Sequence, residues 1–159
     1  MKPVRWVLVG LLVLGGLTIG AGWVPTASGE APAYVGVAKC KICHSKQYKV
    51  WSDSKHTKAF EALKPAEQKD PKCLGCHVTG YRQTQQAPPE MAGIQCESCH
   101  GPGSLYIKIH PRGDKEGARK AGLIAHPDPE SCKTCHNPES PTFKGFDYAK
   151  AWEQIKHSK

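Results

Sequence analysis

The sequence predicts a mostly α chain of short helices and loops, wrapped around something other than its own side chains, with little or no sheet. Three observations lead to this class. The 159 residues are 39% apolar, but sixteen of the apolar residues lie in residues 1–29. In the remaining 130, apolar residues other than Cys make up about 29%, which is thin for a core of that size. No segment alternates apolar and polar residues as a half-buried strand does. All eight Cys stand in Cys-x-x-Cys pairs, each followed by His. Four Trp, five Tyr and three Phe argue against a disordered chain.

The first element is a targeting segment. Lys2 and Arg5 precede an uncharged, mostly apolar run over residues 6–22, and Ala27-Ser28-Gly29 offers small residues for cleavage. This is the pattern of a secretory signal peptide over residues 1–29. The alternative is an uncleaved anchor, because residues 6–24 are 19 uncharged residues, long enough to span a bilayer. Five glycines weaken that run as a helix. Either way residues 30–159 are expected outside the cytoplasm, in the periplasm, as a single domain.

Residues 40–51 read as a short helix. A second is expected over residues 53–63, started by Ser52-Asp53-Ser54, with His56, Ala59, Phe60 and Leu63 at i, i+3, i+4 and i+7 on one apolar face. Residues 65–71 read as a linker and residues 80–91, with Pro88-Pro89, as a polar loop. Gly101-Pro102-Gly103 forces a turn. Residues 110–131 are broken by Gly and Pro and show little periodicity, and residues 136–142 form another loop. From Asp147 a terminal helix is expected, with Tyr148, Ala151, Trp152 and Ile155 as its stripe.

The repeated unit is CKICH at Cys40, Cys43 and His44, CLGCH at Cys73, Cys76 and His77, CESCH at Cys96, Cys99 and His100, and CKTCH at Cys132, Cys135 and His136. Cys-x-x-Cys-His is the c-type haem attachment pattern. Two Cys three residues apart can add to the two vinyl groups along one porphyrin edge, and the next residue places an imidazole under the iron. Zinc-ribbon spacing in Cys73, Cys76, Cys96 and Cys99, or four disulfides, would use the same cysteines. Neither needs a His directly after every second Cys. Four covalent haems also answer the thin composition, since each is a large flat apolar body. Residues 30–159 are therefore expected as one tetrahaem domain.

Four other His compete for the sixth coordination positions. His56 lies on the apolar face of its expected helix and is a distal-ligand candidate. His110 and His126 each precede Pro, sit on loops, and gain ligand candidacy from the haem count. His157 falls about 180° from Tyr148 on the terminal helix, with Lys150 and Glu153, and is expected to be solvent-exposed. Met91 follows the leader as the one remaining Met, so bis-His, low-potential haems are the default.

The mature chain is basic, and unevenly so. Nine Lys against four acids between Lys39 and Lys72 give +5, whereas residues 128–159 balance at five against five. Export and the absence of clustered Arg argue against nucleic acid as partner. A basic face that docks a redox protein with an acidic docking face fits better. Membrane contact is expected only if the leader is retained, and the chain is expected as a monomer or weak oligomer.

At these residues the chain resembles the tetrahaem cytochrome c-554 family. The resemblance is carried by WSDSKHTKAFEAL after the first motif, CLGCHVTGY at the second, GIQCESCHGPG at the third and SPTFKGFDYAKAWEQIKH at the end, and covers residues 36–157. It implies a mostly helical fold with closely packed haem pairs and an electron-transfer role, its namesake being similar to a shuttle that accepts electrons from a hydroxylamine-oxidising haem enzyme. It further implies distal roles for His56, His110 and His126 and a five-coordinate haem on His77. The chain is shorter than that pattern before Cys73 and after Cys99. Electron carriage, not catalysis, is the expected function. The alternatives are a haem enzyme whose open iron acts on a small nitrogen oxide or peroxide, and a polymerised haem wire with His157 given to a neighbouring molecule.

Overall fold

Turns and loops join eight short α-helices among the described residues of the computed structural model, which describes residues 29–157. The chain divides into Met1–Glu30 and Ala31–Lys159. The expected leader lies outside the described residues apart from Gly29, and the following concerns the second unit. In order the helices are α1 (Val37–Lys41), α2 (Ser45–Ser52), α3 (Pro71–His77), α4 (Tyr81–Thr84), α5 (Cys96–His100), α6 (Lys115–Lys120), α7 (Pro129–Lys133) and α8 (Tyr148–Ile155). Among the described residues the only bridge pairings are isolated ones, from Val78 to Ala92 and Gly93. None of the described helices is long and apolar enough to cross a membrane.

Four of the helices begin on an aspartate cap. The carboxylate of Asp70 accepts from Lys72 N at 2.9 Å, Asp114 from Gly117 N at 2.7 Å, Asp128 from Ser131 N at 2.8 Å and Asp147 from Lys150 N at 3.2 Å. Pro71 and Pro129 follow two of these caps at the first helical position, where a missing N–H costs nothing. The cap at Asp147 starts the terminal helix where the sequence places it. α6 lies in the stretch read as lacking periodicity, and α4 in the expected polar loop. The expected helix over residues 40–51 is two, broken between Lys41 and Ser45 around the first motif.

The expected helix over residues 53–63 is instead a run of turns. Its bonds are mostly of the i→i−3 kind, such as Lys58 N to Lys55 O and Ala59 N to His56 O. Tertiary partners compete for the carbonyls an α-helix would need. The amide of Ile94 donates to His56 O at 2.9 Å, and the imidazole Nδ1 of His77 donates to Ala59 O at 2.5 Å. A carbonyl aimed at a distant donor cannot also close its own α-turn well, so propensity yields to the fold.

Five hydrophobic side chains are buried among the described residues: Leu74, Val78, Tyr81, Tyr106 and Ala118. Phe60, Leu63 and Met91 pack against the first three. That is far too little for a unit of this length, as the composition foretold. A buried polar knot supplements it. Thr79 Oγ1 donates to Gly93 O and accepts from Gln95 N, both at 2.8 Å. Gln95 Oε1 accepts from Val37 N at 2.7 Å, and Trp51 Nε1 donates to Ile94 O at 2.7 Å. These bonds tie the first, second and third motif regions to one strip of backbone.

Candidate functional site

Each motif is wound as a helical turn. His44 N donates to Cys40 O and His136 N to Cys132 O, both at 3.0 Å, while Cys73–His77 lie in α3 and Cys96–His100 form α5. Positions i, i+3 and i+4 of such a turn share one face, so both thiols and the imidazole of each motif are presented together. No two of the eight cysteines are joined in a disulfide, so each pair is available for thioether attachment. Among the described residues no three His, Cys, Asp or Glu side chains converge as a zinc ligand set does.

Three of the four motif histidines face a second imidazole. The ring centroids of His44 and His110 are 5.8 Å apart, those of His56 and His136 are 6.1 Å apart, and those of His100 and His157 are 6.0 Å apart. Interplanar angles in these pairs run from 20° to 56°. The spacing is nearly constant while the tilt is not, which is unlike packing of ring against ring. Two imidazoles bound on opposite sides of one metal, each with a metal–nitrogen bond of about 2 Å, have centroids roughly 6 Å apart. By contrast Phe146 stacks directly on His136 at 4.6 Å and 17°.

The ring protons are placed to leave a bare nitrogen. Nδ1 of His77 donates to Ala59 O at 2.5 Å, that of His100 to Ile124 O at 2.7 Å and that of His157 to Ile155 O at 3.1 Å. A carbonyl can only accept, so Nδ1 carries the proton and Nε2 keeps its lone pair for a metal. His110 presents a buried Nδ1 with no hydrogen-bond partner, a nitrogen that a metal would satisfy. Desolvation is the leading cause that holds the half-buried His56 and His100 below the usual imidazole range, and it acts in the same direction on the more exposed His44 and His136. Desolvation thus favours the neutral form, the one that ligates. The residues therefore fit haem iron at every motif.

The motifs lie close together in pairs. Cys40 and Cys96 line one cleft with His44 and His100, joining the first motif to the third. Arg82 joins the second to the fourth: its guanidinium donates to Cys76 Sγ at 3.0 Å, Gly75 O at 2.9 Å and Thr134 O at 2.8 Å. Cys99 is pushed up to about 11, by burial first and then by Cys132 and Cys135, so the third motif neighbours the fourth. A cleft with about 510 Å³ of non-atom space, open solvent included, is lined by Cys40, His44, Cys96, Cys99, His100 and His157 among others.

The other two spare histidines differ from one another. His126 is exposed and faces no imidazole among the described residues. His157 is exposed, as expected, and its ring nonetheless stands 6.0 Å from that of His100. Its helix ends at Ile155 and Lys156 turns extended, with ψ 143°, so the 100° rotation per residue no longer applies at His157. His77 faces no second imidazole among the described residues. Met91 packs instead beside Gly36 and the Leu74 cluster. Sequence reasoning missed Glu97 and Arg82 altogether. The signal for Glu97 was a carboxylate inside CESCH followed by Gly-Pro-Gly.

A family profile described as cytochrome c554 and c-prime matches residues 39–101. Cytochrome c-554 of Nitrosomonas europaea is 33% identical over 169 residues, covering 86% of this chain and 70% of that protein. The solved reduced state of cytochrome c554 from the same organism superposes with a TM-score of 0.60 at 27% identity, covering 80% of each chain.

Proposed function

From the premise that the chain belongs to the cytochrome c554 family, and so is a tetrahaem c-type cytochrome that carries electrons, we propose a periplasmic carrier with three bis-His sites and one open site. The observation that carries this is the set of three imidazole pairs at one common spacing. Cys40 and Cys43, Cys73 and Cys76, Cys96 and Cys99, and Cys132 and Cys135 hold the four haems. His44 with His110, His136 with His56, and His100 with His157 would ligate three of the irons, and His77 would ligate the fourth alone. His157 takes the role that the resemblance assigned to His126. The haem iron supplies one-electron chemistry. The protein supplies fixed imidazoles, carbonyls that orient their rings, and the adjacency of the four attachment turns.

The partner surface is proposed at the first motif. Ile42, between Cys40 and Cys43, is 77% exposed. Lys39, Lys41 and Lys46 around it are exposed and form no ion pair among the described residues. In the C-terminal segment Lys133, Lys150 and Lys156 are each matched three residues away by Glu130, Asp147 and Glu153. An apolar contact ringed by unmatched cations suits an acidic redox protein. Charge reversal at Lys41 should slow electron exchange with such a partner at low salt, and reversal at Lys150 should not. Rates insensitive to both would refute the assignment.

A second reading, chemistry on a small molecule at the iron of His77, is favoured by one feature, the absence of a facing imidazole there among the described residues. Titrating the fully reduced protein with CO tests the ligation scheme. About one haem in four should bind it. Binding by none, or by two or more, contradicts three closed sites and one open one. The polymer reading loses its motive, because His157 faces His100 of its own chain.

A further inference from the structure

Glu97 stands between the two cysteines of the third motif and is 2% exposed. Its Oε1 accepts from Gly103 N at 2.6 Å and Val35 N at 2.9 Å, and its Oε2 accepts from Gly36 N at 2.7 Å and Val35 N at 3.1 Å. All four contacts are to backbone N–H groups, so both oxygens act only as acceptors. The group is an ionised carboxylate, since a proton on either oxygen would displace a donor. No Lys, Arg or His forms an ion pair with it among the described residues. A buried charge without a countercharge is costly, and here only peptide dipoles stabilise it.

The site spans two attachment regions. Val35 and Gly36 lead directly into α1 and the first motif, and Glu97 itself lies in the third. The field reaches further. The hydroxyls of Tyr34 and Tyr106 are held above the usual phenol range, by burial first and by this carboxylate second. Around the second and fourth motifs the charges are exposed and of both signs: Arg82 on Cys76 and Thr134, and the capping carboxylates Asp70 and Asp128.

We propose that Glu97 is a fixed negative charge that lowers the reduction potential of the haems at the first and third motifs relative to those at the second and fourth. The proposal rests on the haem reading of those motifs. Each iron takes one electron, Fe(III) to Fe(II), from an external reductant such as dithionite, and the incoming electron is repelled by a carboxylate in a poorly screened interior. Glu97 is a potential-setting residue that acts through space and touches no reacting atom. It also fastens the segment before the first motif to the Gly-Pro-Gly turn after the third, so its packing role and its charge role must be separated.

The experiment is a potentiometric titration of the mature protein and its Glu97→Gln and Glu97→Asp variants, after intact mass has established four haems in each. Glu97→Gln should raise one or two of the four components by about tenfold in the reduced-to-oxidised ratio at fixed potential, or 59 mV for a one-electron couple. Glu97→Asp, which keeps the charge, should leave them near native. Unmoved potentials in a four-haem Glu97→Gln protein overturn the proposal, and so does an equal shift in Glu97→Asp, which would point to packing. A native mass lacking four haems would instead sink the haem reading itself. Where Glu97→Gln does not mature, Tyr34→Lys decides: it leaves the carboxylate clamp intact and adds a cation within its field. It should raise the same components, and no rise overturns the proposal.

Discussion

The sites built on His100 and His77 are alike on one side and different on the other. Both imidazoles end a short helix, and both donate Nδ1–H to a backbone carbonyl, Ile124 O at 2.7 Å and Ala59 O at 2.5 Å. His100 then faces His157 across 6.0 Å, whereas His77 faces no imidazole among the described residues. The motif imidazole and its orientation are thus settled within the motif and one neighbouring carbonyl. Whether a second imidazole faces it depends on which distant segment the fold brings across. The same chemistry can therefore be closed or open without any change in the motif.

The largest effect on this comparison should come from His157→Ala, which turns the His100 site into a second His77. Electron paramagnetic resonance of the oxidised protein should show one of the low-spin haems become high-spin, and CO uptake should double. His126→Ala should change neither spectrum. An unchanged His157→Ala spectrum, or a changed His126→Ala one, would restore the distal role that the haem count and the resemblance gave to His126.

Gly93→Ala attacks the open site from its backbone. Gly93 has φ +80°, its amide donates to His77 O at 3.1 Å, and a Cβ there would lie 2.7 Å from Thr57 O. The left-handed conformation and the clash with fixed backbone should together cost about 2–4 kcal/mol. Chemical denaturation of the holo-protein measures this. A loss under 1 kcal/mol would show that the strip joining His56 to His77 yields easily. Thr79→Val comes next, at about 1–3 kcal/mol. It leaves Gly93 O and Gln95 N without their shared hydroxyl.

Arg82→Gln should have the smallest effect and the most local one. The guanidinium bridges the second and fourth motifs, but it is exposed, so solvent screens its charge. Its removal should lower the components at those two motifs by less than tenfold, under about 59 mV, and leave the others unmoved. A larger shift at the first or third motif would contradict the pairing drawn from Arg82 and the cleft shared by Cys40 and Cys96.

By itself the sequence determined where the four Cys-x-x-Cys-His turns stand, the near absence of sheet among the described residues and the terminal helix. These are local: two thiols and an imidazole at i, i+3 and i+4 come to one face in a single helical turn, and an Asp cap starts a helix from its own neighbours. Only the tertiary structure decided the rest. His56 reaches His136 from a run of turns, because Ile94 and His77 compete for the carbonyls its helix would need. His157 meets His100 because α8 stops two residues earlier and the chain leaves helical rotation. Periodicity describes a residue's direction only while the helix lasts. Contacts between segments tens of residues apart are set by packing and tertiary hydrogen bonding, which no local pattern records.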